Sequence, residues 1–491
     1  MGAALRGGTA LYAGATLLDR LLGLLLLPLL TRVLTPSDYG AWTQTTVTTG
    51  VLLPVVLFAT PTAIVRWFAP PGSATWRPGH YLSLGAFAIA LYAACAAALW
   101  LGREPLAQLV YGEPGRAVLV AAMLTLLLAE AGVEFANAWL RAAGHLAWVA
   151  GVLAVRSALR FGLVVLLVGG GDLPLAGWLG RYAAAQAAWA GLVLVAAYLA
   201  LRQGAAAVAN TALPPASLPG WRALLAFCGP LVLLALFTTF NTAFDRFLLV
   251  RLLGLDTVAV YAAASSLCSI PAVFYAVLGF TLFPLLAARW GEGRRDEAAR
   301  LTSMALQVFV FLCLPLALAL ALAGPVLLPR ITTAAFHAPW PVFALLGLSV
   351  AAFGVYQILL YALLLDGRSR QVLWLAMCAA AINALLNMLL APRWGAVGAA
   401  AAAAAANTVM VVWATRWAGR VMPWRFPWAA LRPVLAGSVL AAAPLALVLA
   451  WQPQGATAWA AFPAALALGL ALHFGLDWSR PLSVTRMLLQ R

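Results

Sequence analysis

Hydrophobic runs of about 20 residues follow one another along this chain from end to end, separated by short polar turns. Runs of this length predict helices that cross a membrane, because in hydrocarbon a backbone must satisfy its own hydrogen bonds. Barrel strands would instead alternate in polarity over about 10 residues, and no such alternation is present. The pattern predicts fourteen spans: 9–30, 41–65, 81–101, 117–140, 147–168, 177–201, 223–249, 258–286, 301–324, 341–365, 371–391, 396–417, 431–451 and 456–476. The fold class that follows is an all-α polytopic membrane protein. The longest connections are 202–222, with the Pro-rich stretch LPPASLPG, and 287–300, ARWGEGRRDEAAR, whose mixed charges read as a solvated loop. Neither holds a soluble domain, so activity belongs among the helices.

An internal repeat is visible. LLTRVLTPSDYGAW (29–42) closes the first span, and LLVRLLGLDTVAVYAA (248–263) closes the seventh. Each reads Leu, Arg, two apolar residues, a short turn with an Asp, then Tyr and a new span. Six spans separate them. This predicts two six-helix halves with two further helices. The expected divisions are an N-terminal bundle 1–201, a linker 202–222, a C-terminal bundle 223–420, and two additional helices with a basic tail, 421–491.

Composition sharpens this picture. Of 491 residues, 65% are hydrophobic and only 9% charged, too few charges to cover a soluble domain of this size. A formal charge of +16 would suit nucleic acid, but its distribution argues against that partner. All 30 basic residues are arginines, and most lie in short loops. With the N-terminus inside, 19 fall in cytoplasmic segments and 6 in outer ones. That bias orients the chain in a cytoplasmic membrane with both termini inside. The first run is too long for a cleaved leader and feeds directly into another span. The five cysteines sit in apolar runs without CxxC spacing, and the four histidines are scattered. Neither set predicts a disulfide or a metal site. No Walker lysine, HExxH or nucleophile elbow occurs, so the sequence predicts neither an enzyme nor a cofactor.

Charges inside the spans carry the candidate chemistry. Each costs roughly 2.5–3.5 kcal/mol at a helix centre, so such groups face a bundle interior or a wet cavity. AEAGVEFANAWLR sets Glu130, Glu134, Asn137 and Arg141 on one face of the fourth span, and AVRSALR sets Arg156 and Arg160 on one face of the fifth. In an antiparallel hairpin Glu134 matches the depth of Arg156, and Glu130 that of Arg160. Two acid–base rungs are expected, either locking the hairpin or lining a cavity. Asp19 and Arg20 lie mid-span but about 100° apart around the helix, so each needs a different partner. A permanent, bidentate guanidinium at Arg20 suits a phosphate or diphosphate. Asp245 and Arg246 stand near the outer end of the seventh span. There they either order a helix end, with Arg246 snorkelling to headgroups, or touch substrate.

Four stretches together resemble the polysaccharide flippases, the Wzx-like exporters of the multidrug/oligosaccharidyl-lipid/polysaccharide superfamily. They are LPLLTRVLTPSDYGAW (27–42), LLAFCGPLVLLALFTTFNTAFDRFLLVRLLGLDTVAVYAAASSL (224–267), FTLFPLLAARW (280–290) and NALLNMLLAPRWGAVGAA (383–400). The absence of lysine and the Glu130 and Glu134 pairings depart from that family's pattern. The resemblance implies two six-helix bundles around a central cavity, with two helices beside it. It implies a polyprenyl-diphosphate-linked oligosaccharide as substrate, moved across the bilayer for surface polysaccharide synthesis, with a polymerase or other export component as a possible partner. On that basis Arg20, Arg156, Arg160 and Arg246 attract the diphosphate. Asp19, Glu130, Glu134 and Asp245 balance charge or carry a coupling proton. A multidrug or cation antiporter of the same superfamily, a lipid II flippase and a membrane scaffold remain as alternatives.

Overall fold

The computed structural model describes residues 2–68, 78–169, 174–208, 220–424, 428–451 and 456–475. Most of the expected 202–222 linker and the whole tail past 475 lie outside them. Among the described residues every regular element is helical. The elements are α1 (Gly2–Val33), α2 (Pro36–Leu57), α3 (Thr60–Phe68), α4 (Pro78–Leu101), the short α5 (Arg103–Tyr111), a 3-10 turn (Pro114–Val118), α6 (Leu119–Ala142), α7 (Leu146–Gly169) and α8 (Leu175–Val208). They continue with α9 (Trp221–Cys268), α10 (Ala272–Gly291), α11 (Arg295–Ile331), α12 (Trp340–Leu365), α13 (Ser369–Val421), α14 (Trp428–Trp451) and α15 (Ala456–Gly475).

Ten helices among the described residues are long and apolar enough to cross a membrane, and eleven when bent α2–α3 counts as one span. Two are too long for a single pass. At about 1.5 Å per residue, the 48 residues of α9 and the 53 of α13 greatly exceed a hydrocarbon core of about 30 Å. Each contains one non-helical glycine: Gly254 (φ 81°, ψ 178°) in α9 and Gly395 (φ 56°, ψ −132°) in α13. Residues with a Cβ avoid those angles, so these glycines are the turns that the spacing places between spans seven and eight, and eleven and twelve. Dividing α13 at Gly395, treating the second arm of α9 with α10 as one pass, and adding α14 and α15 recovers the fourteen passes.

Contacts divide the chain into two compact units, Met1–Ala259 and Val260–Arg491. The sequence reading puts its division earlier, at 202–222. Within the first unit the start of α9 packs on α3: Leu224 and Cys228 meet Ala63, and the Phe227 ring meets Trp67 edge-on at 5.1 Å.

The first unit is organised by two helix pairs, α1 against α7 and α6 against α8. The TPSDYG turn shows how local sequence sets the entry to α2. Thr35 is the N-cap and accepts from the Asp38 N–H (3.2 Å), Pro36 occupies the first turn, and Asp38 adds its charge there. Arg116 ties that turn to the 3-10 segment, donating to Ser37 Oγ (2.7 Å) and pairing with Asp38 (3.3 Å) and Glu113 (3.3 Å). Gly40 follows because a Cβ there would overlap the carbonyl of Leu255. Farther along α2, Gln44 donates to the Val110 carbonyl (2.9 Å) and Thr45 shares a hydrogen bond with the Tyr111 hydroxyl (2.9 Å), which fixes α5.

The bend between α2 and α3 measures 46°. It is made by two consecutive non-glycine residues in the left-handed region, Phe58 (φ 47°) and Ala59 (φ 53°). L-residues adopt it at a cost of roughly 1–2 kcal/mol each. Ala59→Gly removes most of that cost at one position. It is expected to stabilise the folded protein by about 1 kcal/mol, read as a higher unfolding midpoint in detergent.

In the second unit α12 packs on α11 and α13, and α14 packs on α11 and α15. Pro315 inside α11 has no N–H for the Phe311 carbonyl four residues earlier. The fully buried His473 on α15 lies 3.0 Å from that oxygen through Nε2. A carbonyl only accepts, so Nε2 is the donor, and α15 closes the gap that proline opens in α11.

Candidate functional site

Four intramembrane charges of the first unit, Asp19, Glu130, Arg156 and Arg160, meet at α7. Its Arg156 and Arg160 are one turn apart on one face, with Ser157 between them in sequence. Arg156 Nη2 pairs with Glu130 Oε1 of α6. Arg160 Nη1 lies 3.6 Å from Asp19 Oδ1 of α1. Ser157 Oγ donates to the same oxygen at 2.6 Å. Asp19 thus joins α1 to α7 and Glu130 joins α6 to α7, so α7 bridges the two helix pairs through charge.

The two expected rungs do not form in the expected register. Glu130 pairs with Arg156 rather than Arg160. Arg160 takes Asp19, and Glu134 turns along its own helix to Arg141, at 3.8 Å. The reason is packing. Equal depth decides partners only when a hairpin's two arms lie against each other, whereas α6 rests chiefly on α8 and α7 on α1. Long guanidinium side chains then choose among carboxylates on three helices.

These groups are not sealed in apolar core. The side chains of Glu130, Asp19 and Arg160 are each about one-third exposed (31%, 31% and 32%), and that of Arg156 is 13% exposed. Partly exposed charges mid-helix require water or a polar ligand beside them. Arg20 is exposed and makes no ion pair among the described residues. The separate ion-pair partner expected for it is not found among the described residues.

Asp245 and Arg246 take another arrangement. The helix continues past 249 to the break at Gly254, which leaves Asp245 about 13 Å from that end. Asp245 is buried, and its Oδ1 accepts the backbone N–H of Arg246 at 2.8 Å. The Arg246 Nε is buried without a hydrogen-bond partner among the described residues. The bond from Asp245 Oδ1 ties the two neighbours to each other within α9.

Three side chains that the sequence did not single out complete the surroundings. Ser157 fixes Asp19. Tyr182 of α8 places its hydroxyl on Arg160. Trp42 of α2 packs edge-on against Tyr182, with ring centroids 4.8 Å apart. For Ser157 the signal was its place between two intramembrane arginines. Tyr182 and Trp42 look like ordinary interfacial aromatics until the helices are assembled.

Residues 5–290 match the family described as polysaccharide biosynthesis protein. No protein with a curated functional description matches the sequence. Among solved structures, a lipid II flippase MurJ in an inward closed conformation is similar over 98% of this chain and 100% of its own. Its TM-score is 0.71 at 13% identity. A Vibrio cholerae MATE transporter, VcmN in the bent form, is similar over 85% of this chain and 96% of its own, with TM-score 0.55 and 17% identity. An outward-facing multidrug resistance MATE family transporter of the MOP superfamily covers 85% of this chain and 94% of its own, with TM-score 0.52 and 14% identity. At such identities the likeness is one of fold.

Proposed function

Because this chain belongs to the polysaccharide biosynthesis protein family, we propose that it is a flippase for a polyprenyl-diphosphate-linked oligosaccharide. It moves that lipid across the cytoplasmic membrane by alternating access, with both termini inside, and delivers it for surface polysaccharide synthesis. A polymerase or another export component receives the product. The observation that carries this reading is the partly exposed charged seam of α7: two guanidinium groups held mid-span by carboxylates from α1 and α6. A sugar diphosphate cannot cross about 30 Å of hydrocarbon unaided. Arg156 and Arg160 offer it donors that are already oriented and only partly neutralised. Arg20, exposed and without an ion pair, offers a third. In the proposed cycle the diphosphate competes with Asp19 and Glu130 for the arginines, and the released carboxylates balance charge or take up a coupling proton. Arg246 and Asp245 keep a supporting role on α9, and Glu134 with Arg141 holds the end of α6.

A second reading, a multidrug or cation antiporter, draws support from Asp19: a carboxylate on the first helix, held by a hydroxyl and a guanidinium, can take up and release a proton. A lipid II flippase shares the first reading's chemistry and differs only in the glycan. One experiment separates them. In a host lacking the protein, lipid-linked repeat units are expected to accumulate at the inner leaflet while surface polymer is lost. Arg20→Ala is expected to reproduce this at normal membrane abundance, with surface polymer at least tenfold lower, because no ion pair depends on Arg20. An unchanged pool together with lost drug efflux would move the assignment to the antiporter.

A further inference from the structure

One face of α8 carries Trp178, Tyr182 and Gln186, each four residues after the last and therefore stacked along the helix. All three are buried, at 3%, 4% and 5% exposure. The Trp178 and Tyr182 rings are parallel (3° apart), with centroids separated by 6.0 Å. Trp42 of α2, itself 6% exposed, meets both edge-on at 4.9 and 4.8 Å. Tyr182 also touches Arg160, so this stripe continues the charged seam. Two of its donors are unsatisfied: Trp178 Nε1 and Gln186 Nε2 are buried without a hydrogen-bond partner among the described residues. A buried donor left unmade costs on the order of 1–3 kcal/mol. Apolar residues would fill the same space in a membrane helix without that cost.

We propose that the α8 stripe Trp178–Tyr182–Gln186, covered by Trp42, is the surface that recognises the sugar portion of the transported lipid. This rests on the flippase reading and extends it from the diphosphate to the glycan. The chemistry is specific. A pyranose presents flat C–H faces that lie against aromatic rings, and a rim of hydroxyl oxygens that accept N–H donors. Parallel rings 6.0 Å apart, an indole N–H, a carboxamide and a neighbouring guanidinium supply both kinds of contact along one line. The diphosphate end of the same ligand sits one helix away, at Arg160. Trp42 of α2 covers the stripe in this structure, so a sugar that binds there takes the place of its indole.

The test uses the full-length protein in proteoliposomes with two probes. One is the lipid-linked oligosaccharide isolated from a host lacking the protein. The other is the same lipid diphosphate trimmed to its first sugar. Trp178→Phe keeps an aromatic face, though a smaller one, and removes the N–H; Gln186→Met keeps the volume and removes the amide. For each, the ratio of the full-oligosaccharide rate to the single-sugar rate is expected to fall about tenfold, the value of one lost hydrogen bond. An unchanged ratio in both variants, whether the rates hold or fall together, overturns the assignment and leaves the stripe a structural one. Should the wild-type protein move neither probe, the flippase reading itself fails, and this inference with it.

Discussion

Arg156→Met is expected to lower the amount of folded protein in the membrane, and adding Glu130→Gln to the same chain is expected to restore it without restoring transport. The first half follows from the cost of stranding a charge. Removing one partner of a buried ion pair destabilises by about 3–5 kcal/mol, because the other is left desolvated and uncompensated. Glu130 is 31% exposed, so water recovers part of this and the expected cost is about 2 kcal/mol. The second half follows from sign. With both charges gone, nothing is stranded, and replacing an ion pair by neutral groups of similar volume is often tolerated. Function is a separate matter. If Arg156 holds the diphosphate, the double variant folds yet transports at least tenfold less. Abundance and unfolding midpoint report on the first effect, and surface polymer on the second. A double variant that folds and transports normally would reduce the pair to a structural tie between α6 and α7.

That experiment matters because the charges were the legible part of the site and their partners were not. AVRSALR and AEAGVEFANAWLR announce intramembrane arginines and carboxylates by composition alone, since lipid makes every such residue conspicuous. Who pairs with whom depends on which helices touch. Sequence neighbours α6 and α7 suggest a tight hairpin, yet the tight pairs are α1 with α7 and α6 with α8, and their register is set by side-chain shape along whole faces. Asp19 could not be matched to Ser157 and Arg160 from spacing, because 138 residues separate Asp19 from Ser157.

The same contrast runs through the fold. Run length locates the spans and the Thr-Pro-Ser-Asp turn locates the start of α2, since both are local properties. The bend at Phe58–Ala59 has no local signature: neither residue favours a left-handed backbone, and only the surrounding contacts hold them there. The aromatic and amide stripe of α8 also hid in plain composition. A Trp, a Tyr and a Gln four apart are unremarkable until their polar atoms are found buried and unmatched.

Gly398→Ala is expected to be among the most damaging single-methyl additions in the chain. Past the turn at Gly395, the second arm of α13 comes back so close that a Cβ at Gly398 overlaps the carbonyl of Leu390 and the amide nitrogen of Ala391. Both obstacles are backbone, so no rotamer change relieves them; the two arms must separate. Overpacking of this kind costs about 1–3 kcal/mol where side chains can adjust, and about 3 kcal/mol or more is expected where they cannot. Gly395→Ala acts on the same turn by another route, placing a Cβ at φ 56°, ψ −132°, and the two losses are not expected to add because they open one joint. The matched control is Gly191→Ala in α8, where nothing lies within 4 Å of the added carbon. Alanine there replaces a flexible residue in a helix and is expected to be neutral or stabilising by about 0.5–1 kcal/mol. Unfolding midpoints of the three variants in detergent check the ordering. Equal midpoints for Gly398→Ala and Gly191→Ala would show that the α13 arms do not meet as described. A large loss at Gly398 alone would mean that the close approach governs the joint rather than the turn. The expected pattern, large losses at both, makes the joint between passes eleven and twelve a single rigid corner, built from one glycine that turns the chain and another that lets it return.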